Sequence, residues 1–259
     1  MGRCFARPTA TFMILGSHCT RNCGFCSVVS GHPAPPDENE PDNVAAAAAE
    51  LGLRYVVVTS VTRDDLADGG ARHFSRTIEA IRLRLPSAKV EVLTPDFRGD
   101  RKALGTVLQA RPDVFNHNVE TIRRLYPSVR PAADYRRSLG VLRAAKDMAP
   151  DLFVKSGFML GLGETPAEVE RLLQDLAKAG CDFLTIGQYL QPTRMNLPVV
   201  EYIRPEVFED LRERSLAMGF RFVASGPLVR SSMNADEMYN GDPGPRPAVS
   251  GRAPAEEDE

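Results

Sequence analysis

Three cysteines stand within eight residues, Cys19-Thr-Arg-Asn-Cys23-Gly-Phe-Cys26, and they are the residues of this chain best suited to chemistry. A thiolate is a strong metal ligand, and thiolates held close together repel one another unless a cation neutralises them. Spacings of three and two residues let a single loop wrap three irons of a cubane. A four-iron cluster normally takes four thiolates, so the fourth iron would lack a protein ligand and stay open to a small molecule. A zinc loop draws on the same residue type, but this sequence has no second C-x2-C hairpin to complete one. Chance clustering is the remaining alternative. Disulfides fit poorly, because the five cysteines (Cys4, Cys19, Cys23, Cys26, Cys181) are odd in number and nothing marks the chain for export.

Such a loop needs a frame. Apolar, β-branched or aromatic runs at 10–16, 54–60, 89–95, 114–120, 153–161, 183–190 and 220–225 each read as a buried strand. Their starts lie 44, 35, 25, 39, 30 and 37 residues apart, room for one helix and two loops, which is the rhythm of parallel βα units. The helices between them carry start and stop signals. Thr165 with Glu168 forms a capping box, Pro166 sits at the first helical position, and Gly180 follows the periodic Leu172, Leu173, Leu176 and Ala177. Gly52 and Gly219 end other helices, and the alanines at 45–49 form one that Asp42 is expected to cap. The expected fold is α/β: a partial or closed (βα) barrel of six to seven parallel units. A doubly wound open sheet is disfavoured because no Gly-x-Gly-x-x-Gly follows the first strand. In either architecture reactive groups gather at the carboxyl ends of the strands.

Composition bounds the rest. The 259 residues carry 32 basic and 34 acidic side chains and are 43% apolar, an ordinary globular balance. No membrane span or secretion signal is legible, so a cytoplasmic location is expected. Residues 241–259 combine four Pro, three Gly and a terminal acidic run, and read as a disordered tail. Without that tail the charges stand at 30 basic to 29 acidic, leaving no electrostatic footprint for nucleic acid or an anionic membrane.

The cysteine loop, with Phe25 before its last cysteine and a strand before its first, resembles the radical S-adenosylmethionine superfamily. Gly157-Phe-Met-Leu-Gly161-Leu-Gly-Glu164 is similar to that superfamily's G-x-I-x-G-x-x-E segment along the adenine pocket. Longer strings are similar to lipoyl synthase: ATFMILG (10–16), VVVTSVTRDDLADGGA (56–71), VFNHNVETIRRLY (114–126), KSGFMLGLGET (155–165), TIGQYLQP (185–192) and GPLVRSSMNADEMY (226–239). The resemblance implies a sulfurtransferase that places sulfur at carbons 6 and 8 of an octanoyl chain linked to a lysine. The carriers implied are the lipoyl domains of 2-oxoacid dehydrogenase E2 subunits and the glycine cleavage H protein. An unactivated methylene has no usable acidity, so a radical is required and side-chain acids or bases do not suffice. The family draws that radical from S-adenosylmethionine on one [4Fe-4S] cluster, with an electron donor such as ferredoxin or flavodoxin, and its sulfur from a second, auxiliary [4Fe-4S] cluster that is consumed.

By the same resemblance Cys19, Cys23 and Cys26 hold the first cluster. Phe25, Asn118, Gly161 and Glu164 face S-adenosylmethionine. Ser232 of Arg230-Ser231-Ser232 is the expected serine ligand of the auxiliary cluster, ahead of Ser231. The family's upstream C-x4-C-x5-C motif is matched only by Cys4, its third cysteine, so the auxiliary ligand set is incomplete in this chain. Met1-Gly2-Arg3-Cys4 fits the family's Cys-Pro-Asn-x-Gly-x-Cys from its variable position onward, which leads us to expect an earlier natural start. A partner that supplies cysteines and an enzyme with the first cluster alone are the alternatives. The expected domains are a remnant of the auxiliary segment at 1–9, the barrel at 10–225, a closing segment at 226–240 and the tail. Met233-Asn234 and Ser17-His18 depart from the family's Tyr-His and Asp-Val without removing a ligand. Cys181 reads as core, and His117 as a structural hydrogen-bonding histidine. The competing functions are another radical enzyme of the superfamily and a non-catalytic iron–sulfur electron carrier.

Overall fold

The structure, a computed structural model, describes residues 8–232. Seven strands form one parallel sheet: β1 (Thr9–Ile14), β4 (Tyr55–Ser60), β5 (Lys89–Leu93), β6 (Val114–Asn116), β7 (Phe153–Leu160), β8 (Phe183–Gln188) and β9 (Phe222–Gly226). Each pairs with the strand before it, from Thr9 opposite Tyr55 at one edge to Gly187 opposite Gly226 at the other. A doubly wound sheet reverses its strand order at a switch point, and this order never reverses. It is the wall of a barrel. Among the described residues β1 and β9 do not pair with each other, so the barrel is partial rather than closed.

The central strands read as mainly apolar runs because both faces are buried, as β4 and β8 show, whereas the edge strands β1 and β9 are partly exposed. Val56 and Val58 of β4 pack outward into the main core against helices, while Tyr55 and Val57 belong to a separate cluster. Val114 and Phe183 form another small cluster with Phe153 and Phe222. Full burial of a valine is worth about 2 kcal/mol, so β4 alone ties the two layers together strongly. The helices are α1 (Glu40–Glu50), α2 (Ala71–Arg84), α3 (Arg101–Gln109), α4 (Tyr126–Val129), α5 (Tyr135–Met148), α6 (Pro166–Lys178) and α7 (Pro205–Ala217). The longer ones each bury a side against the strands or a neighbouring helix, and none of the described helices is long and apolar enough to cross a membrane.

Helix α6 has both halves of the capping box expected from Thr165 and Glu168, with Pro166 in its first turn. Gly52, Gly180 and Gly219 take positive φ just past helix ends, where a side chain would be strained. The cap expected from Asp42 is a correction. Helix α1 begins at Glu40 with Asn39 in the cap position and no side-chain cap bond. Pro41 suits the first turn because it has no N–H to lose there, so the helix starts ahead of Asp42, which becomes a first-turn acid. Two short strands, β2 (His18–Cys19) and β3 (Val29–Ser30), pair in parallel and were not read from sequence. They close the base of the cysteine loop. Most of the expected 1–9 segment, including Cys4, and the 241–259 tail lie outside the described residues.

Candidate functional site

The cysteine loop sits over the carboxyl ends of β4 and β5 and is pinned there by side chains. The Thr20 hydroxyl donates to the Thr62 carbonyl at 3.0 Å and accepts from the Asp64 N–H at 3.0 Å. Arg21 is buried, and its guanidinium forks onto two carboxylates. Nε and Nη2 donate to Asp64 at 2.7 and 2.9 Å, while Nη1 and Nη2 donate to Asp96 at 3.1 and 2.6 Å. Arg137 of α5 adds a third bond to Asp96 at 2.8 Å. Burial alone would raise the Asp96 carboxyl, but hydrogen bonds and charge from Arg21, with His117 and Arg137 nearby, hold it well below the usual carboxylate range. Planar bidentate pairing of this kind fixes direction as well as position. On the far side of the loop, Gly24 N–H donates to the Val129 carbonyl at 2.9 Å.

All three thiols are half-buried and line one cavity of about 210 Å³, together with Phe25, Asn118, Glu120 and Arg130. Burial pushes the Cys23 thiol up, partly opposed by the Arg130 charge, and burial likewise raises Cys26 against the Val28 N–H that reaches its sulfur. A bound cation is what would make thiolates stable here. Among the described residues no three His, Cys, Asp or Glu side chains group around a single-ion site. Four residues that line the cavity carry a buried side-chain atom without a hydrogen-bond partner: Ser60 Oγ, Thr94 Oγ1, Asn118 Oδ1 and Arg130 Nε. Orphaned polar atoms of this kind need a polar guest to complete them. Three sulfur donors in one small cavity, lined by residues with unpaired hydrogen-bonding atoms, fit a thiolate-held cluster with a polar small molecule beside it.

A second cavity, of about 330 Å³, shares Phe25, Leu93, Asn118 and Glu120 with the first. Its remaining walls include Phe158, Met159, Leu190, Pro192 and Val229, with Ser231 at one side. Gly157 lines it, and no side chain fits there, since a Cβ would strike Thr185 Oγ1 and come within 3.1 Å of Asn118 Oδ1. Glu120 stands between the two cavities at φ 65°, a left-handed conformation that costs a non-glycine residue about 1 kcal/mol or more. Its backbone is held by β7: it donates to Gly157 O at 3.0 Å and accepts from Met159 N–H at 2.9 Å. Burial raises its carboxyl, opposed by the Arg130 charge and a bond from Asn118.

Of the residues expected to face S-adenosylmethionine, Phe25 and Asn118 therefore line both cavities. Gly161 and Glu164 line neither. The Glu164 carboxylate accepts the N–H groups of Gly161 at 2.5 Å and Leu162 at 3.0 Å, closing its own turn at the end of β7. Ser231 lines the second cavity, while Ser232 is exposed. Cys181 is buried in the main core. His117 is buried, with Nδ1 on the Thr94 carbonyl at 2.9 Å and Nε2 on Ser138 Oγ at 3.1 Å; burial lowers it to about 4.

Sequence reading missed Arg21, Asp64, Asp96, Arg130 and the loop at 189–204. That loop reaches the cysteines: Asn196 Nδ2 donates to Cys26 O at 2.8 Å, and Leu197 N–H to Gly24 O at 2.9 Å. The T-R-D-D string was a usable signal for Asp64, whereas Asn196 lies 170 residues from its partner and had none.

The sequence model of the Radical SAM superfamily matches residues 13–187. The chain is 58% identical over 236 residues to the lipoyl synthase of Caldanaerobacter subterraneus, covering 91% of this chain and 83% of that one. It is 58% identical over 234 residues to the lipoyl synthase of Caldicellulosiruptor saccharolyticus, covering 90% and 82%. Among solved structures, methylornithine synthase aligns with a TM-score of 0.60 at 14% identity over 89% of this chain and 77% of its own. Streptococcus suis SuiB bound to S-adenosylmethionine aligns with a TM-score of 0.67 at 10% identity over 84% and 50%, a likeness of fold alone. The thiol-lined cavity and the partial barrel thus agree with the sequence relatives, and the chain belongs to the lipoyl synthase family of the radical SAM superfamily.

Proposed function

We propose that this enzyme inserts two sulfur atoms, at C6 and C8, into a protein-bound octanoyl-lysine. The observation that carries the reading is the common wall of Phe25, Leu93, Asn118 and Glu120 between a thiol-lined cavity and a larger, mainly apolar one. Cys19, Cys23 and Cys26 would hold the first [4Fe-4S] cluster. With S-adenosylmethionine bound beside it, that cluster supplies a one-electron chemistry strong enough to take hydrogen from an unactivated methylene.

The chain's own residues bind, orient and exclude water. Arg21, through Asp64 and Asp96, holds the cysteine loop at one angle, and Asn196 ties its other side. Asn118 and Glu120 present polar groups at the wall where the cosubstrate meets the acyl chain. Phe158, Met159, Leu190, Pro192 and Val229 offer the apolar surface an eight-carbon chain needs. No side chain is assigned as a catalytic acid or base. Gly161 and Glu164 shape the strand end next to the cosubstrate, and Ser232 and Cys4, completed by two cysteines further upstream, would ligate the auxiliary cluster as the sulfur source. The carrier is an octanoylated protein, of the E2 or H-protein type, the electron donor a ferredoxin or flavodoxin, and the setting cytoplasmic.

The test is an anaerobic assay of the reconstituted full-length protein, with the upstream auxiliary cysteines that the resemblance implies, on an octanoylated lysine peptide with S-adenosylmethionine and a reductant. Thiolated peptide with 5′-deoxyadenosine is the expected result. Formation of 5′-deoxyadenosine with no thiolated peptide would overturn the assignment and favour another radical enzyme of the superfamily.

A further inference from the structure

Lys155 is the odd residue of β7. It is the one charged residue of that strand, and its side chain is wholly shielded from solvent. Nζ donates to Glu91 Oε1 at 2.9 Å, and Glu91 also accepts from Tyr55 Oη at 2.8 Å and Asn116 Nδ2 at 3.1 Å. The carboxylate is thus met by donors from β4, β6 and β7. The second bond of Lys155 leaves this network: Nζ donates to the carbonyl oxygen of Ser231 at 2.6 Å, 76 residues further along the chain. That carbonyl belongs to the peptide joining Ser231 to Ser232. A peptide group is planar, so fixing its oxygen also fixes the direction in which the Ser232 backbone sets out.

A second, independent observation concerns the same turn. Gly187 of β8 lines the larger cavity beside Val229, and a Cβ at Gly187 would run into the Val229 carbonyl oxygen. The strand carries a glycine where the segment lies directly on its backbone. The Val229 N–H in turn donates to Gly226 O at 3.0 Å.

We infer that Lys155 and Gly187 form a receptor in the barrel mouth for the 229–231 turn, with Lys155 the positioning residue that sets Arg230-Ser231-Ser232 beside the larger cavity. The inference rests on the proposed reading in that this segment serves sulfur insertion. Lys155 acts through a backbone carbonyl and is not itself a catalytic residue.

The test uses the full-length, cluster-reconstituted protein with its expected upstream cysteines. Removing Lys155 alone would strand a buried carboxylate, so Lys155→Met is combined with Glu91→Gln, which keeps hydrogen bonds for Tyr55 and Asn116. Gly187→Ala, on the opposite side of the turn, is a separate variant that leaves the buried pair intact. Hydrogen exchange at residues 229–232 is expected to speed up by about tenfold or more in both variants, with β7 and β8 exchanging as in the unsubstituted protein. Thiolated peptide formed per 5′-deoxyadenosine is expected to fall as well, a split that a general loss of structure would not produce. Unchanged protection at 229–232 in both variants would overturn the inference. An unsubstituted protein that forms no thiolated peptide would instead sink the sulfur-insertion reading, and hydrogen exchange would still decide whether Lys155 holds the turn.

Discussion

The 19–26 loop is tied down by hydrogen bonds to at least four other parts of the molecule, whereas among the described residues the 229–231 turn is held by one lysine, a local bond to Gly226 and one close backbone approach. Arg21 alone makes four charged hydrogen bonds, to Asp64 and Asp96, and Thr20, Gly24 and Cys26 are each held besides. The turn has Lys155 on Ser231 and Gly187 beneath Val229. Segments with few buried contacts open at lower free energy than the frame that carries them. The difference suits the two roles proposed. A reusable cluster that must meet its cosubstrate at a fixed angle profits from a preorganised loop. A sulfur donor that is consumed and rebuilt needs a ligand segment that can be released.

That contrast can be broken by experiment, most severely at the cysteines. Cys23→Ala is expected to reduce 5′-deoxyadenosine formation to background; undiminished cleavage would remove the cluster from the first loop. Next is Arg21→Met, which leaves the fully buried Asp96 without its main partner and should destabilise the fold by roughly 3–5 kcal/mol in denaturant titration. The Lys155→Met, Glu91→Gln pair, in which both charges are replaced, should shift stability by about 1 kcal/mol or less, since exchanging a whole buried pair is often near neutral. Equal losses in the two would erase the distinction between loop and turn.

A smaller effect concerns acidity. His117 is held at about 4 when folded and returns to its ordinary 6.5 when unfolded. The unfolded chain therefore takes up that proton first, so the contribution is complete above 6.5 and is lost as the pH falls toward 4. The loss is about 3 kcal/mol and would appear as a falling unfolding midpoint across that window. His117→Gln should flatten the slope there. The smallest expected change is Cys181→Ala, about 1 kcal/mol of stability from the main core, with 5′-deoxyadenosine formation unaltered.

The sequence made the seven strands legible because the central ones are buried on both faces and all are written as mainly apolar or β-branched runs; their observed starts fall within two residues of the expected ones. Helix ends were legible where a local rule acts, as at Thr165 and Gly180, and misread at Asp42, where Pro41 moved the start forward. The three thiols announced themselves by spacing. Their support did not, because it consists of pairs far apart in sequence: Arg21 and Asp96 are separated by 75 residues, and Lys155 and Ser231 by 76. No period or cap encodes such a meeting. Lys155 was nevertheless visible as a charged residue inside a buried strand, a position that is costly unless paired, and that mismatch was the clue available.

The strand order has a consequence for how the molecule comes into being. Every strand from β4 onward joins a neighbour that has already been made, so no part of the wall waits for a distant later segment, and the barrel can grow unit by unit in the direction of synthesis. The contact of Ser231 with Lys155 is different: it spans 76 residues and forms only once all seven strands have been made. Among the described residues the turn at the barrel mouth is therefore the last piece to arrive, and its docking reports that the wall beneath it is complete.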